Sequence, residues 1–347
     1  MSLFQRLFPG LASRRNGNPT AKGTDRAAGE PPWFRVCGPG APTPREIDSR
    51  FVGLLLGVNS LIDIDLNPFE LEVLERFDKL LSSRQLDAQL LPRLPGLIPG
   101  LLAMLRRGES SAAEIAAEIA RDSALVADVL RLANSPWYRI GRPVESLEQA
   151  VVHLGEEGIR QVIATAAFRP LFRCDRKAGH FACLGIGALW QQNILVSRAA
   201  DCIARSENAN RFQAFLAGLL SSTGLMILVH VMDRHFTGSH APRSLLFSEH
   251  LLLASRRLST RVASEWDMPA EVVHMLEEQA RSQEMAALST AGQILFVAEK
   301  MGRLHALKES GRYAGRYDEV SCQIDHGIAD NSSHCFERLR ELGSALE

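Results

Sequence analysis

The sequence predicts an all-α protein, on three observations. Apolar residues recur at the helical spacing i, i+3, i+4 and i+7 through most of the chain from residue 48 onward. Several of these stretches begin at N-capping residues and end at glycine or proline, as helices do. No stretch alternates apolar and polar residues between hairpin turns, which is the pattern of β-strands. We therefore expect a multi-helix bundle.

The N-terminal part of the chain changes character near residue 48. Residues 1–47 are rich in Gly, Pro and Arg and lack a periodic apolar pattern, so they are predicted to be a disordered basic segment. A helical lead-in is predicted over 48–88, where Phe51 opens an apolar stretch and Pro68 starts a second helix. The apolar residues within 3–8 fit either a membrane anchor or a short docking segment, and their short run favours the second.

Short helices with well-marked ends follow, in a domain that we place at 89–306. Asp122 is positioned to cap one helix, Ser146 and Gln149 form a capping box for the next, and Gly155 ends it. Later helices are predicted over 157–168, 184–205, 211–232, 248–266, 269–279 and 286–305. The last residues, 307–347, are polar and acidic and are expected to form a mostly flexible tail.

Charge excludes a protein built to coat nucleic acid. The chain has 39 Lys+Arg and 40 Asp+Glu, a formal net charge of -1. The local basic run at Arg256, Arg257 and Arg261 lacks interleaved aromatic residues and is predicted to be a solvated helix face.

Neither a signal peptide nor a membrane-spanning helix is expected. The six cysteines are scattered without a Cys-x-x-Cys pair, so we expect a cytoplasmic protein with reduced thiols. The stretch 215–232 has no full charge over 18 residues, close to the lower length limit for a spanning helix. Its serines, glycine and histidine favour a buried helix of a soluble bundle instead.

Several short segments, in their order and spacing, resemble the HDOD domain, the "HD-related output domain" of bacterial signalling proteins. The resemblance covers about residues 89–280. The segments that carry it are Leu94-Pro95, Arg121-Asp122, Leu130 to Ser135, Ser146 to Ala150 with Leu154-Gly155, Trp190, Phe215 to Leu220, and Trp266 with Pro269. The resemblance implies a helical bundle related to the HD phosphohydrolases and a role in signal transduction.

The HD phosphohydrolases hold metal ions with histidine and aspartate, and these positions are altered here. The resemblance aligns the metal-site residues with Gln192, Ser221, Ser222, Ser255 and Glu299. A serine hydroxyl is neutral and a poor replacement for these ligands, and only Glu299 keeps a carboxylate. The sequence therefore predicts a degenerate site with no metal, no other cofactor and no catalytic residue.

The family's characteristic turn supplies candidates for partner binding: Asn134, Ser135, Trp137 and Tyr138. Exposed aromatic residues are enriched in protein interfaces, which favours a contact with a partner. Asn134 and Ser135 are equally suited to end the preceding helix, and Tyr138 to close the core. The sequence leaves these two interpretations open.

Our leading hypothesis is a non-catalytic signalling adaptor that binds protein partners. The resemblance implies partners such as cyclic-dinucleotide turnover proteins or histidine-kinase systems; nucleic acid is not expected. One alternative is a metal-dependent phosphohydrolase that acts on a nucleotide or cyclic dinucleotide through a relocated metal site. Another is a pseudo-enzyme pocket that binds a small ligand without chemistry.

Overall fold

The structure is a computed structural model that describes residues 42–83, 112–135, 138, 141–172, 179–314 and 335. The predicted basic segment up to residue 41, the Leu94-Pro95 motif and Trp137 lie outside the described residues. So does the tail beyond residue 314, apart from Cys335. Within the described ranges the secondary structure is helical, and the β pairing is limited to an isolated bridge between Ile62 and Ser244.

The part of the chain that the structure describes contains eleven α-helices, which confirms the predicted all-α class. In chain order they are α1 Pro44–Leu55, α2 Pro68–Ser82, α3 Ala112–Ile119, α4 Ser123–Ala133, α5 Leu147–Phe168, α6 His180–Ser206, α7 Arg211–Leu220, α8 Thr223–His235, α9 Leu245–Glu265, α10 Ala270–Arg281 and α11 Thr290–Glu309. Short 3-10 turns follow α5 and precede α11.

Helix α1 begins earlier than the sequence predicts. The Thr43 side chain accepts the backbone N–H of Glu46, and the Glu46 carboxylate accepts the N–H of Thr43 in return. This capping box, followed by proline at Pro44, fixes the helix start. Ile47 is fully buried. The predicted boundary between residues 47 and 48 is therefore wrong, and residues 44–47 belong to the folded domain.

The predicted helix ends around the first short helices are confirmed. Asp122 accepts the N–H groups of the first turn of α4, and Ser146 accepts the N–H of Gln149 at the start of α5. The Gln149 side chain reaches the N–H of Glu145 rather than that of Ser146, so the box closes one residue earlier than expected. Gly155 has φ 66° and kinks α5 at the place where the sequence predicts a helix end.

The predicted helix over 211–232 is two helices, α7 and α8, with Ser221 and Ser222 at the break between them. The stretch Arg211–His235 is long and apolar enough to pass a test for a membrane span. In this fold 94% of its most apolar 18-residue window is buried. The residues therefore form the centre of the bundle, as the sequence favours.

The bundle has two hydrophobic clusters that meet along α6. One gathers α3, α4, α5, α7, α10, α11, the C-terminal half of α6 and Ile47 of α1. The other gathers the rest of α1, α2, α8, most of α9 and the N-terminal half of α6. Phe51 of α1 and Phe77 of α2 are almost completely buried in the second cluster. The lead-in helices therefore complete the core.

The C-terminal residues that the structure describes are also tied to the core. Tyr313 is 9% exposed and Cys335 is 1% exposed. Cys335 forms a disulfide with Cys202 of α6, with 6.0 Å between their Cα atoms, within the usual range. The expectation of reduced thiols is therefore wrong for Cys202 and Cys335. Helix α11 extends to Glu309, past the predicted start of the tail, and the flexible tail beyond residue 314 stays a prediction.

Candidate functional site

The residues at the predicted degenerate metal positions lie at the boundary between the two hydrophobic clusters. Gln192 is on α6, and the Ser222 hydroxyl donates a hydrogen bond of 3.3 Å to its side-chain oxygen. Helix α11 meets α6 at the same level, where a Cβ on Gly302 would lie 3.5 Å from the Gln192 carbonyl oxygen. None of the five side chains is more than 4% exposed. The alignment is therefore consistent with one buried polar region.

The serines in this region hold helix ends and close helix packing. The Ser221 hydroxyl donates to the carbonyl of Gly218 at 2.9 Å, and its own carbonyl accepts the Ser259 hydroxyl at 2.9 Å. A Cβ on Gly224 would lie 2.1 Å from the Ser255 carbonyl oxygen. These contacts stabilise the α7–α8 break and the close approach of α8 to α9.

Glu299 is the one carboxylate among the five positions, and cationic side chains already engage it. Arg303, one turn later on α11, donates to Glu299 Oε2 at 3.2 Å. Arg256 of α9 lies 3.7 Å from the same oxygen. Arg256 is 6% exposed, so the prediction that it belongs to a solvated face is wrong, whereas Arg257 is exposed.

A second buried carboxylate, Asp48 of α1, joins the same cations. Lys300 Nζ lies 2.6 and 2.5 Å from the two Asp48 oxygens, Arg303 Nη1 lies 2.5 Å away, and Arg256 Nη2 lies 3.2 Å away. Burial alone would raise the pKa of Asp48, but the Arg303, Lys300 and Arg256 charges outweigh it and hold the pKa well below its ordinary value. We call Asp48, Arg256, Glu299, Lys300 and Arg303 the buried ion cluster.

This arrangement does not fit a divalent metal centre. The neutral side chains of Gln192, Ser221, Ser222 and Ser255 are weak ligands, and Glu299 is paired with arginine. Among the described residues, no group of three or more His, Cys, Asp or Glu side chains is placed to hold a metal ion. Three buried cations in contact with two carboxylates would also repel an incoming cation.

The resemblance to the HD phosphohydrolases also places a paired histidine of their metal site near Glu278 and Gln279. In the structure both residues make contacts that hold helices together. The Glu278 carboxylate accepts the N–H and the hydroxyl of Ser289, the cap of α11, at 2.9 and 2.7 Å. The Gln279 amide donates to the carbonyl of Gly292 at 2.8 Å. These bonds join the end of α10 to the start of α11.

In the turn after α4, the described candidate residues are engaged inside the protein. The Asn134 amide donates to the carbonyl of Val144 at 2.8 Å and accepts its N–H at 2.6 Å. The Ser135 hydroxyl donates to Leu132. Tyr138 is 8% exposed and lies under the Arg198 guanidinium, 4.0 Å from the ring centroid. Tyr138 therefore fits the core interpretation, while partner binding by Asn134 and Ser135 stays a prediction.

A model of the HDOD domain matches residues 91–282, more than half of the chain. The chain belongs to the HDOD family. The match runs from before α3 to just after α10, so it includes Gln192, Ser221, Ser222 and Ser255 but not Glu299. The HDOD resemblance that the sequence segments predict is thereby confirmed.

Solved structures support the same fold for this HDOD chain. An HDOD domain protein of unknown function from Geobacter sulfurreducens aligns with a TM-score of 0.57 and 19% identity, over 80% of this chain and 97% of that one. A predicted metal-dependent phosphohydrolase from Shewanella amazonensis SB2B aligns with a TM-score of 0.55 and 20% identity, over 80% of this chain and 100% of that one. A predicted signal transduction protein from Marinobacter aquaeolei VT8 aligns with a TM-score of 0.52 and 20% identity, over 84% of this chain and 68% of that one. The search of curated proteins gave no match.

Sequence reasoning missed three members of the buried ion cluster: Asp48, Lys300 and Arg303. A weak signal was present, because Lys300 and Arg303 lie among the buried apolar residues of α11 between Ile294 and Leu307, and Asp48 directly follows the buried Ile47. Charged residues on a buried helix face are rare unless they are paired. In this HDOD chain the three charged residues are paired with one another in the protein interior.

Proposed function

We propose that this HDOD chain is a non-catalytic regulator in signal transduction that acts by binding protein partners. The observation that carries the proposal is the pairing of Glu299 with Arg303 and Arg256. HD hydrolases need carboxylate and imidazole ligands so that a metal can activate water. Here the one remaining carboxylate is neutralised by arginine, so its lone pairs are directed to guanidinium groups.

Burial of the site gives independent support. The side chains at Gln192, Ser221, Ser222, Ser255 and Glu299 are all at least 96% buried. A phosphate ester must reach the reacting atoms directly, because a nucleophile acts at about 3 Å. These positions contact other helices, which favours a structural role for the residues aligned with the HD metal site. Partner binding is then expected on the outer surface.

The partner class comes from the family and from one structural relative. The chain belongs to the HDOD family, a resemblance that implies a role in bacterial signalling, and the Marinobacter relative is described as a signal transduction protein. We propose cyclic-dinucleotide turnover proteins or histidine-kinase systems as partners. The turn at Asn134 and Ser135 is the surface at which we expect contact, since both residues are partly exposed.

Metal content and phosphodiesterase activity test the non-catalytic part. The purified full chain should contain less than stoichiometric Mn, Fe or Zn and should not turn over a cyclic dinucleotide or a chromogenic phosphodiester with added Mn²⁺. An HD enzyme that retains its His-Asp pair, assayed in parallel, is the positive control. Stoichiometric metal together with turnover that is lost in Glu299→Gln would overturn the proposal in favour of the phosphohydrolase alternative.

Affinity capture from the protein's own cells tests partner binding. The full chain and a form without residues 1–41 should retain the same signalling protein, because the domain begins with the cap at Thr43. Mixing the purified partner with each form then measures the Kd directly. If neither form retains a specific protein, the adaptor function is wrong.

A further inference from the structure

The two ends of the folded chain meet inside the molecule. Helix α1 precedes the residues that the HDOD model matches, and α11 follows them. Asp48 of α1 contacts Lys300 and Arg303 of α11, although more than 250 residues separate them in sequence. Arg312, just after α11, also donates to the carbonyl of Val58, just after α1. The flanking segments therefore close on each other across the matched domain.

The contact between α1 and α11 is ionic and buried. The Lys300 side chain is 1% exposed, that of Arg303 is 4% exposed and that of Asp48 is 11% exposed. A single charge in this environment is strongly unfavourable unless a partner of opposite charge lies beside it. Without Asp48, Arg256 and Arg303 would keep Glu299 as a carboxylate partner among the described residues, and Lys300 would lose the carboxylate that it contacts. The geometry therefore makes Asp48 the counter-ion on which the cluster depends.

We infer that a lysine- and arginine-centred ion cluster, which includes Glu299 of the aligned metal positions, stabilises the packing of α1 against α9 and α11, and that Asp48, from a helix outside the matched family segment, is its required counter-ion. Helix α1 is then an obligatory part of the HDOD domain in this chain. The inference rests on the proposed loss of the metal site and is independent of partner binding.

Apolar packing also holds α1, so the test must separate the two contributions. Phe51 and Ile47 bury their side chains against the bundle whether or not Asp48 is charged. The chain offers a matched control on the same helix, the ion pair between Arg45 of α1 and Glu249 of α9, in which the Arg45 side chain is 80% exposed. Exposed pairs of this kind contribute little to stability.

Thermal unfolding of the full chain tests the inference. Asp48→Asn keeps the side-chain size and removes the charge, and it should lower Tm by about 10 °C. Arg45→Ala should lower Tm by less than about 3 °C. The double variant Asp48→Asn/Lys300→Met should recover at least half of the loss, because it removes the cation that Asp48 neutralises.

Two outcomes would overturn the inference. One is an Asp48→Asn variant that unfolds within about 3 °C of Arg45→Ala. The other is a double variant no more stable than Asp48→Asn. If Asp48→Asn does not fold, soluble yield and resistance to trypsin rank the same variants, and a double variant no better than the single variant contradicts the inference. These are stability measurements, so they can fail while the metal and capture experiments succeed, or the reverse.

Discussion

Lys300 is a buried lysine at the centre of an all-helical protein. Burial lowers its pKa to about 8, although the Asp48 carboxylate beside it acts in the opposite direction. The folded state therefore binds this proton less tightly than the unfolded chain does. At neutral pH the buried charge of Lys300 therefore lowers the free energy of unfolding. The same charge pairs with the buried Asp48 carboxylate.

The pH dependence of unfolding should report this lysine. Because the folded pKa is lowered, the free energy of unfolding should rise between pH 8 and about 10.5, by about 3 kcal/mol if the full shift is expressed. Lys300→Met should lack that rise, whereas Lys79→Met, at an exposed lysine, should keep it. Urea unfolding at intervals from pH 7.5 to 10.5 measures the difference. Parallel profiles for the wild type and Lys300→Met would contradict the prediction.

Asn134 shows how one side chain stabilises a turn. Its amide satisfies both the N–H and the carbonyl of Val144, a residue with a buried side chain. Asn134→Ala should lower the free energy of unfolding by about 2–3 kcal/mol, because both backbone groups lose their partner. Ser135→Ala removes a single bond to Leu132 and should cost about 1 kcal/mol or less. Equal losses in urea unfolding would show that the Asn134 contacts are not decisive.

At the scale of helices, the close approach of α8 to α9 depends on a missing side chain. Gly224 lies at the second position of α8, with the backbone of α9 directly against it. Its N–H donates to the Ser259 hydroxyl, which in turn donates to Ser221. The break between α7 and α8 and the packing of α9 are therefore one structural unit.

Substitution of Gly224 should separate this packing effect from helix propensity. In Gly224→Ala the new Cβ would lie 2.1 Å from the Ser255 carbonyl oxygen, and relief requires the helices to move apart, at a cost of about 3 kcal/mol. Gly187→Ala, in α6 with nothing within 4 Å, should instead stabilise by about 0.5–1 kcal/mol. Differential scanning calorimetry should show opposite shifts in Tm. A shift of the same sign in both variants would refute this account.

Local signals predict the helices well and their long-range contacts poorly. Asp122, Ser146 and Gly155 act at the positions that capping rules assign to them, because a cap depends on residues within one turn. The break at Ser221 was missed, since the flanking residues form one continuous apolar stretch that is typical of a single helix. The break is in contact with Ser259 of α9, a long-range contact that a local pattern does not contain.

At the scale of the whole molecule, part of the candidate site could be predicted from the sequence and part could not. The convergence of Gln192 with Ser222 follows the family resemblance, and the structure places the two in hydrogen-bonding contact. The pairing of Asp48 with Lys300 links segments far apart in sequence, and no spacing rule connects them. The two hydrophobic clusters, which share α6, bring these distant segments together.

Truncation should reveal the true extent of the folded domain. A form without residues 1–41 should keep the helical circular dichroism and Tm of the full chain. A form without residues 1–83 should be insoluble or should unfold at a much lower temperature, because it exposes the cluster that α1 and α2 complete. The boundary of the family match, near residue 91, predicts instead that both forms fold equally well. Equal Tm values for the two forms would contradict the structural boundary.

The Cys202–Cys335 bond has a consequence for how the molecule responds to cutting. It closes a covalent ring through α6 and the C-terminal segment, with 133 residues of sequence separation. A protease that nicks the backbone once anywhere between these cysteines leaves two fragments that stay joined. On an electrophoresis gel without reductant such a nicked chain should migrate as one band near full mass, and it should fall into two bands once the sulfur–sulfur bond is reduced.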